Sequence, residues 1–127
     1  MIATKRAYEP AERSDGYRVL IDRLWPRGVS KAKAQLDAWE KDIAPSAELR
    51  TWYGHDPAKW SEFKSRYLRE LRVRKAQVVL DDLVRRAKRG RVTLVYASHD
   101  PAISDVAVIE RKLKNRIVKS RPSRSSR

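Results

Sequence analysis

The sequence predicts a small α/β domain built on a mostly parallel sheet flanked by helices. Two apolar runs carry that prediction, Val19 to Ile21 within Tyr17–Asp22 and Val92 to Ala97, each reading as a strand buried on both faces. The stretch between them is long and mainly helical in pattern, so the two strands cannot form a hairpin. A crossover onto a parallel sheet, right-handed as nearly all are, follows. With 127 residues and 41% hydrophobic composition, including four Trp and five Tyr, the chain has the length and the apolar bulk for one core.

Residues 2–6 read as a first short strand, and Glu9 to Gly16, rich in Pro, Asp, Ser and Gly, as a surface loop. After Gly28, Ser30 is placed to cap a helix running through Leu36 and Trp39, and Pro45 and Ser46 precede a helical turn over 47–52. Asp56 and Pro57 supply a capping carboxylate and a first-turn proline ahead of Trp60, Phe63, Tyr67 and Leu71, which share one helical face. A further helix over 75–88 carries Val79, Leu80, Leu83, Val84 and Ala87 as its buried stripe, with Gly90 as terminator. Asp100 and Pro101 repeat the cap-and-proline device before Ala102, Val106, Ile109 and Leu113, the spacing of a last amphipathic helix.

The net charge of +14 is unevenly distributed, because eight Lys or Arg and no acid follow residue 110. The reading is a folded domain over residues 1–113 and a basic, disordered tail over 114–127, since the closing stretch lacks apolar groups to bury. Such a tail can bind nucleic acid non-specifically by releasing counterions. No helix-turn-helix, RNA-recognition or zinc-finger pattern accompanies it. Absence of cysteine removes disulfides, thiolate nucleophiles and zinc-thiolate sites, and agrees with a reducing compartment. Neither a signal-peptide run nor a span of about 20 apolar residues is present, so the expected location is the cytoplasm and no membrane partner is expected.

In sheets of this kind ligands gather beyond the carboxyl ends of the strands, here Asp22–Gly28 and Ala97–Asp100. Within DRLWPRG, Arg23 and Arg27 beside the indole of Trp25 can hold a phosphate or carboxylate bidentately and stack a ring, while Asp22 can orient Arg23 or act as a base. The competing reading makes the same segment a structural corner, with Trp25 closing the core and Asp22 paired internally. The two histidines, His55 and His99, each precede Asp-Pro-Ala. Either sits outside a helix start as surface decoration, or accepts a proton beside an anion held there. Tyr96 completes the candidate pocket. Asp22, His55 and His99 are thus the catalytic candidates, and Arg23, Trp25, Arg27 and Tyr96 the ligand-binding ones. No metal-ligand spacing, phosphate-cradling glycine loop or cofactor motif is found, and Ser98, His99 and Asp100 are too close in the chain to act as a triad. The aromatic set Trp52, Tyr53, Trp60, Phe63 and Tyr67 has the spacing of core packing more than of a stacking platform. Trp39 and Trp52 are expected to be partly exposed.

The segments YRVLIDRLWPRG (17–28), IAPS (43–46), ELRTWYGHDP (48–57), the Trp60, Phe63, Tyr67 helix and TLVYA (93–97) together resemble the family called domain of unknown function 488, the YeaO-like proteins, over residues 1 to about 113. That resemblance implies a small α/β protein and no established reaction. Members of the family commonly carry a His-Asn-Asn-like stretch at the start of the last helix, where this chain has Ile103, Ser104 and Asp105. The resemblance therefore implies a site altered at that point. Three functions stand side by side: binding or conversion of a small anionic ligand through DRLWPRG, nucleic-acid association through the basic tail, and a protein-interaction module. Whether the protein is an enzyme, and its oligomeric state, stay open at this level.

Overall fold

The computed structural model describes residues 1–119. Strands β1 (Ile2–Arg6), β2 (Tyr17–Leu20), β3 (Ala38–Trp39) and β4 (Val92–Tyr96) form one sheet in the order β1-β4-β2-β3, with each neighbouring pair parallel. Five helices accompany them: α1 (Lys31–Ala34), α2 (Ala47–Tyr53), α3 (Trp60–Glu70), α4 (Arg74–Arg89) and α5 (Asp105–Lys119). The α/β class and the parallel pairing of the two apolar strands are as the sequence predicts. Among the described residues, no helix is long and apolar enough to cross a membrane.

Side chains alternate across a strand, so one sheet feeds two cores. Val19, Ile21, Val92, Leu94 and Tyr96 face the larger core, which they share with the apolar stripes of α2 to α5. Leu20, Val95 and Ala7 face the smaller one, closed by Trp25, Val29, Leu36 and Trp39. Leu80, Leu83 and Ile109 are fully buried, each such side chain being worth about 1.5–3 kcal/mol relative to exposure. The aromatic set behaves as core: Phe63 and Tyr67 are buried, Tyr53 stacks on Phe63 at 4.2 Å, and Trp52 and Trp60 pack partly buried against them. Trp39 is also partly exposed, as expected.

At the amino ends of the strands the sheet is fastened by polar groups. Arg18 is 3% exposed yet lies within β2; it donates to Asp15 Oδ2 at 2.7 Å and twice to the Ala34 carbonyl. Asp15 also receives Lys5 Nζ at 3.0 Å. Gly16, at φ 68°, packs where an added Cβ would lie 2.3 Å from the Arg91 carbonyl oxygen, so only glycine fits there.

Three elements differ from the sequence reading. Ser30 does cap a helix, accepting from Lys33 N at 3.1 Å, but α1 stops at Ala34 because Gln35 turns left-handed at φ 44°. Leu36 and Trp39 are therefore not helical. Asp37 N and Glu40 N donate instead to the Arg18 and Leu20 carbonyls, and strand pairing overrides the helical spacing. The last helix begins at Asp105, four residues after Pro101. Asp100 makes no capping bond, and residues 101–103 form a separate 3₁₀ turn ended by extended Ser104. Finally, residues 114–119, expected in the tail, continue α5, because Ile117 follows Leu113 onto the core and Lys114 pairs with Glu110 at 3.0 Å. The rest of the expected tail, residues 120–127, lies outside the described residues.

Candidate functional site

The chain leaving β2 is held on three sides. The Asp22 carbonyl accepts the indole N–H of Trp39 at 2.7 Å, and the Asp22 carboxylate accepts the backbone N–H of Ala97 at 2.9 Å. One residue thus ties the exit of β2 to that of β4. Arg23 Nε donates to the Pro45 carbonyl at 2.9 Å, fastening the segment to the loop before α2. Trp25 folds back, donating its indole N–H to the Val29 carbonyl at 2.6 Å and meeting Trp39 edge-on at 5.4 Å. On the far side, the Arg6 guanidinium donates to the Ala97 and Ser98 carbonyls at 2.9 and 3.1 Å.

These restraints leave a cavity of about 560 Å³ beyond the carboxyl ends of β2 and β4, where ligands of open parallel sheets bind. Asp22, Arg23, Trp25, Arg27, His55 and His99 all line it. Tyr96 does not: it is 6% exposed and faces the larger core, because its place in β4 sets it on the same side as Leu94. Arg50 and Tyr53, which are not among the sequence-based candidates, line it as well, and so does the stretch Ile103–Asp105, where the family resemblance implies an altered site. Arg50 and Tyr53 are three apart on α2 and so share a face. That spacing was the available signal for them. No local pattern points to Asp105.

Cations and apolar surface share the cavity wall. The Arg27 and Arg50 side chains are exposed and make no hydrogen bond or ion pair with other described residues, and the Arg23 side chain uses only Nε. Tyr53, its hydroxyl bonded to the Ile103 carbonyl, and Phe63 form a stacked apolar side. His55 stands in the left-handed region at φ 57°, its ring 6.0 Å from that of Tyr53. An L-residue adopts that conformation at a cost. Neither His55 nor His99 hydrogen-bonds to another described residue.

Asp105 opens α5 and hydrogen-bonds to Asp22. Burial, and then the Asp22 charge, push its carboxyl well above the usual carboxylate range, against the opposing Val106 N–H, which Asp105 Oδ1 accepts at 2.9 Å. A second acid beside a buried carboxyl favours the protonated form of that carboxyl. Desolvation also raises the Tyr53 hydroxyl, followed by the charges of Asp100 and Asp56. Among the described residues no group of three or more His, Cys, Asp or Glu comes together to hold a metal ion.

This arrangement can grip an anion through convergent guanidinium N–H groups and bury its apolar part against Tyr53 and Phe63. Neither imidazole is oriented by a hydrogen-bond partner among the described residues. The fold and cavity define a small parallel α/β domain with an arginine-lined pocket at the carboxyl edge of its sheet. The family model described as the inactive DUF488-N3 subclade matches residues 1–127, and the chain belongs to that family. It is 42% identical to an uncharacterised protein of Mycobacterium tuberculosis over 115 residues, 91% of this chain and 95% of that one. It is 40% identical to the uncharacterised protein YeaO of Escherichia coli over 109 residues, 85% of this chain and 92% of that one. No solved structure matches it.

Proposed function

We propose that the protein binds a small anionic ligand, bearing a phosphate or carboxylate on an apolar body, and does so without converting it. The observation that carries this reading is the cavity itself. Arg27 and Arg50 line it with no carboxylate partner among the described residues, while Asp22 is engaged by Ala97 and Asp105. Unpaired guanidiniums beside an apolar wall favour an anion with a hydrophobic part. Binding is preferred over catalysis because His55 and His99 lack an orienting partner, and because the family model is described as an inactive subclade. The stretch Ile103–Asp105, which departs from the family's His-Asn-Asn-like pattern, lines the same cavity, which fits a pocket that keeps binding and has lost chemistry. The alternative, nucleic-acid association through the basic tail over 114–127, gains nothing from the cavity.

The test is thermal denaturation with inorganic phosphate and with a panel of aryl and alkyl phosphates and carboxylates. Wild-type protein is expected to melt at a higher temperature with at least one of them. Arg27→Ala and Arg50→Ala are expected to abolish that shift while melting normally alone, because neither side chain holds the fold. If no compound shifts the wild type, or if Arg27→Ala unfolds the protein by itself, the reading fails.

A further inference from the structure

We propose that the groove between α3 and α5 is a docking site for an acidic amphipathic helix of a protein partner. The groove has a volume of about 980 Å³, and none of its lining residues lines the cavity described above. Its apolar lining comes from Trp60, Leu68, Ala102, Ala107 and Val108. Leu68 is 37% exposed on a helix whose opposite face fills the core.

Around this apolar strip stand Lys64, Arg111, Lys112 and Lys119. Among the described lining residues the one acid is Glu110, which is occupied by Lys114 at 3.0 Å. Lys64 lies over the Trp60 ring at 5.8 Å, while Arg111 and Lys119 meet no carboxylate among the described residues. Burial lowers the Lys112 ammonium, and Arg116, Arg72 and Lys119 lower it further. The surface is thus short of negative charge at the same place where it exposes apolar groups.

The chemistry of the groove selects its partner. A nucleic acid would need open ring faces for its bases. The single ring here, Trp60, is stacked on Phe63 at 5.8 Å and overlaid by Lys64. Leucine and alanine between cationic borders instead suit a helix with apolar residues at every third and fourth position and Glu or Asp beside them. Contact with such a helix covers Leu68 and supplies the missing carboxylates together.

The experiment is fluorescence anisotropy on the full chain with three labelled probes: a Leu/Glu peptide with all Leu on one helical face, a peptide of the same composition with that face scrambled, and a single-stranded DNA. The patterned peptide is expected to bind best, with affinity falling as salt is added. Leu68→Ser and Arg111→Glu, both surface changes, are each expected to weaken it by about tenfold. Equal binding of the scrambled peptide, tighter binding of DNA, no binding of the patterned peptide, or indifference to Leu68→Ser would each overturn the proposal. None of those results bears on the cavity, because the two sites share no residue.

Discussion

Asp22, at the exit of β2, hydrogen-bonds to Asp105, the first residue of α5, while its other carboxylate contact takes the Ala97 N–H at 2.9 Å. Two strands and a helix meet through one acid pair on the cavity wall. Burial and the neighbouring Asp22 charge make the Asp105 carboxyl hold its proton to higher pH than usual.

That proton makes stability pH-dependent. Asp105 is raised in the folded state above its ordinary value of about 3.9, so between those limits the folded chain holds more protons than the unfolded one. Stability contributed at Asp105 is present below the unfolded value and is lost as pH rises through the folded one. Asp105→Asn keeps a donor towards Asp22 and an acceptor for Val106 N–H, and cannot ionise. Urea midpoints are expected to coincide near pH 4 and to favour the variant at pH 8. A wild type more stable than the variant at pH 8 would contradict the raised Asp105 carboxyl.

Truncating Asp22 leaves the Ala97 N–H without its acceptor. Asp22→Ala is expected to cost about 1–3 kcal/mol in denaturant unfolding, and Asp22→Asn, which retains an oxygen for Ala97, less than half of that loss.

His55 occupies the left-handed region at φ 57° immediately after left-handed Gly54. His55→Gly is expected to raise stability by about 0.5–1 kcal/mol through relief of that conformation. If His55 contacts the anion, the same variant loses part of the ligand-induced rise in melting temperature. Calorimetric scans with and without ligand separate the two effects.

The ion pair at the opposite end of the sheet is a control for the site. Arg18 and Asp15 are 3% and 5% exposed, and Arg18→Leu removes one of the two cations on the Asp15 carboxylate, leaving Lys5 Nζ at 3.0 Å, and strips the Ala34 carbonyl of its donors. A loss of about 1–3 kcal/mol is expected in urea unfolding.

The apolar strands, the α3 and α4 stripes and the family were all legible in the chain, because each rests on neighbours at spacings of two, three or four residues. Asp22, Arg23, Trp25, Arg27, His55 and His99 were legible as pocket residues because a parallel sheet sends its strand exits to one edge. Trp39 misled, since its helical spacing from Leu36 was outweighed by backbone pairing of residues 37–40 with β2. Tyr96 misled as well, since the strand pattern alone does not say which face meets the larger core.

Local chemistry therefore decided what each segment of this protein is, and the tertiary structure decided which segments meet. Asp105 joins the pocket beside Asp22 from the other end of the domain, and no spacing rule reaches that far. The freedom of the arginine side chains, the raised Asp105 carboxyl beside Asp22, and the uncovered strip between α3 and α5 are properties of packing. Each depends on which charges and apolar groups the folded chain leaves without a neighbour.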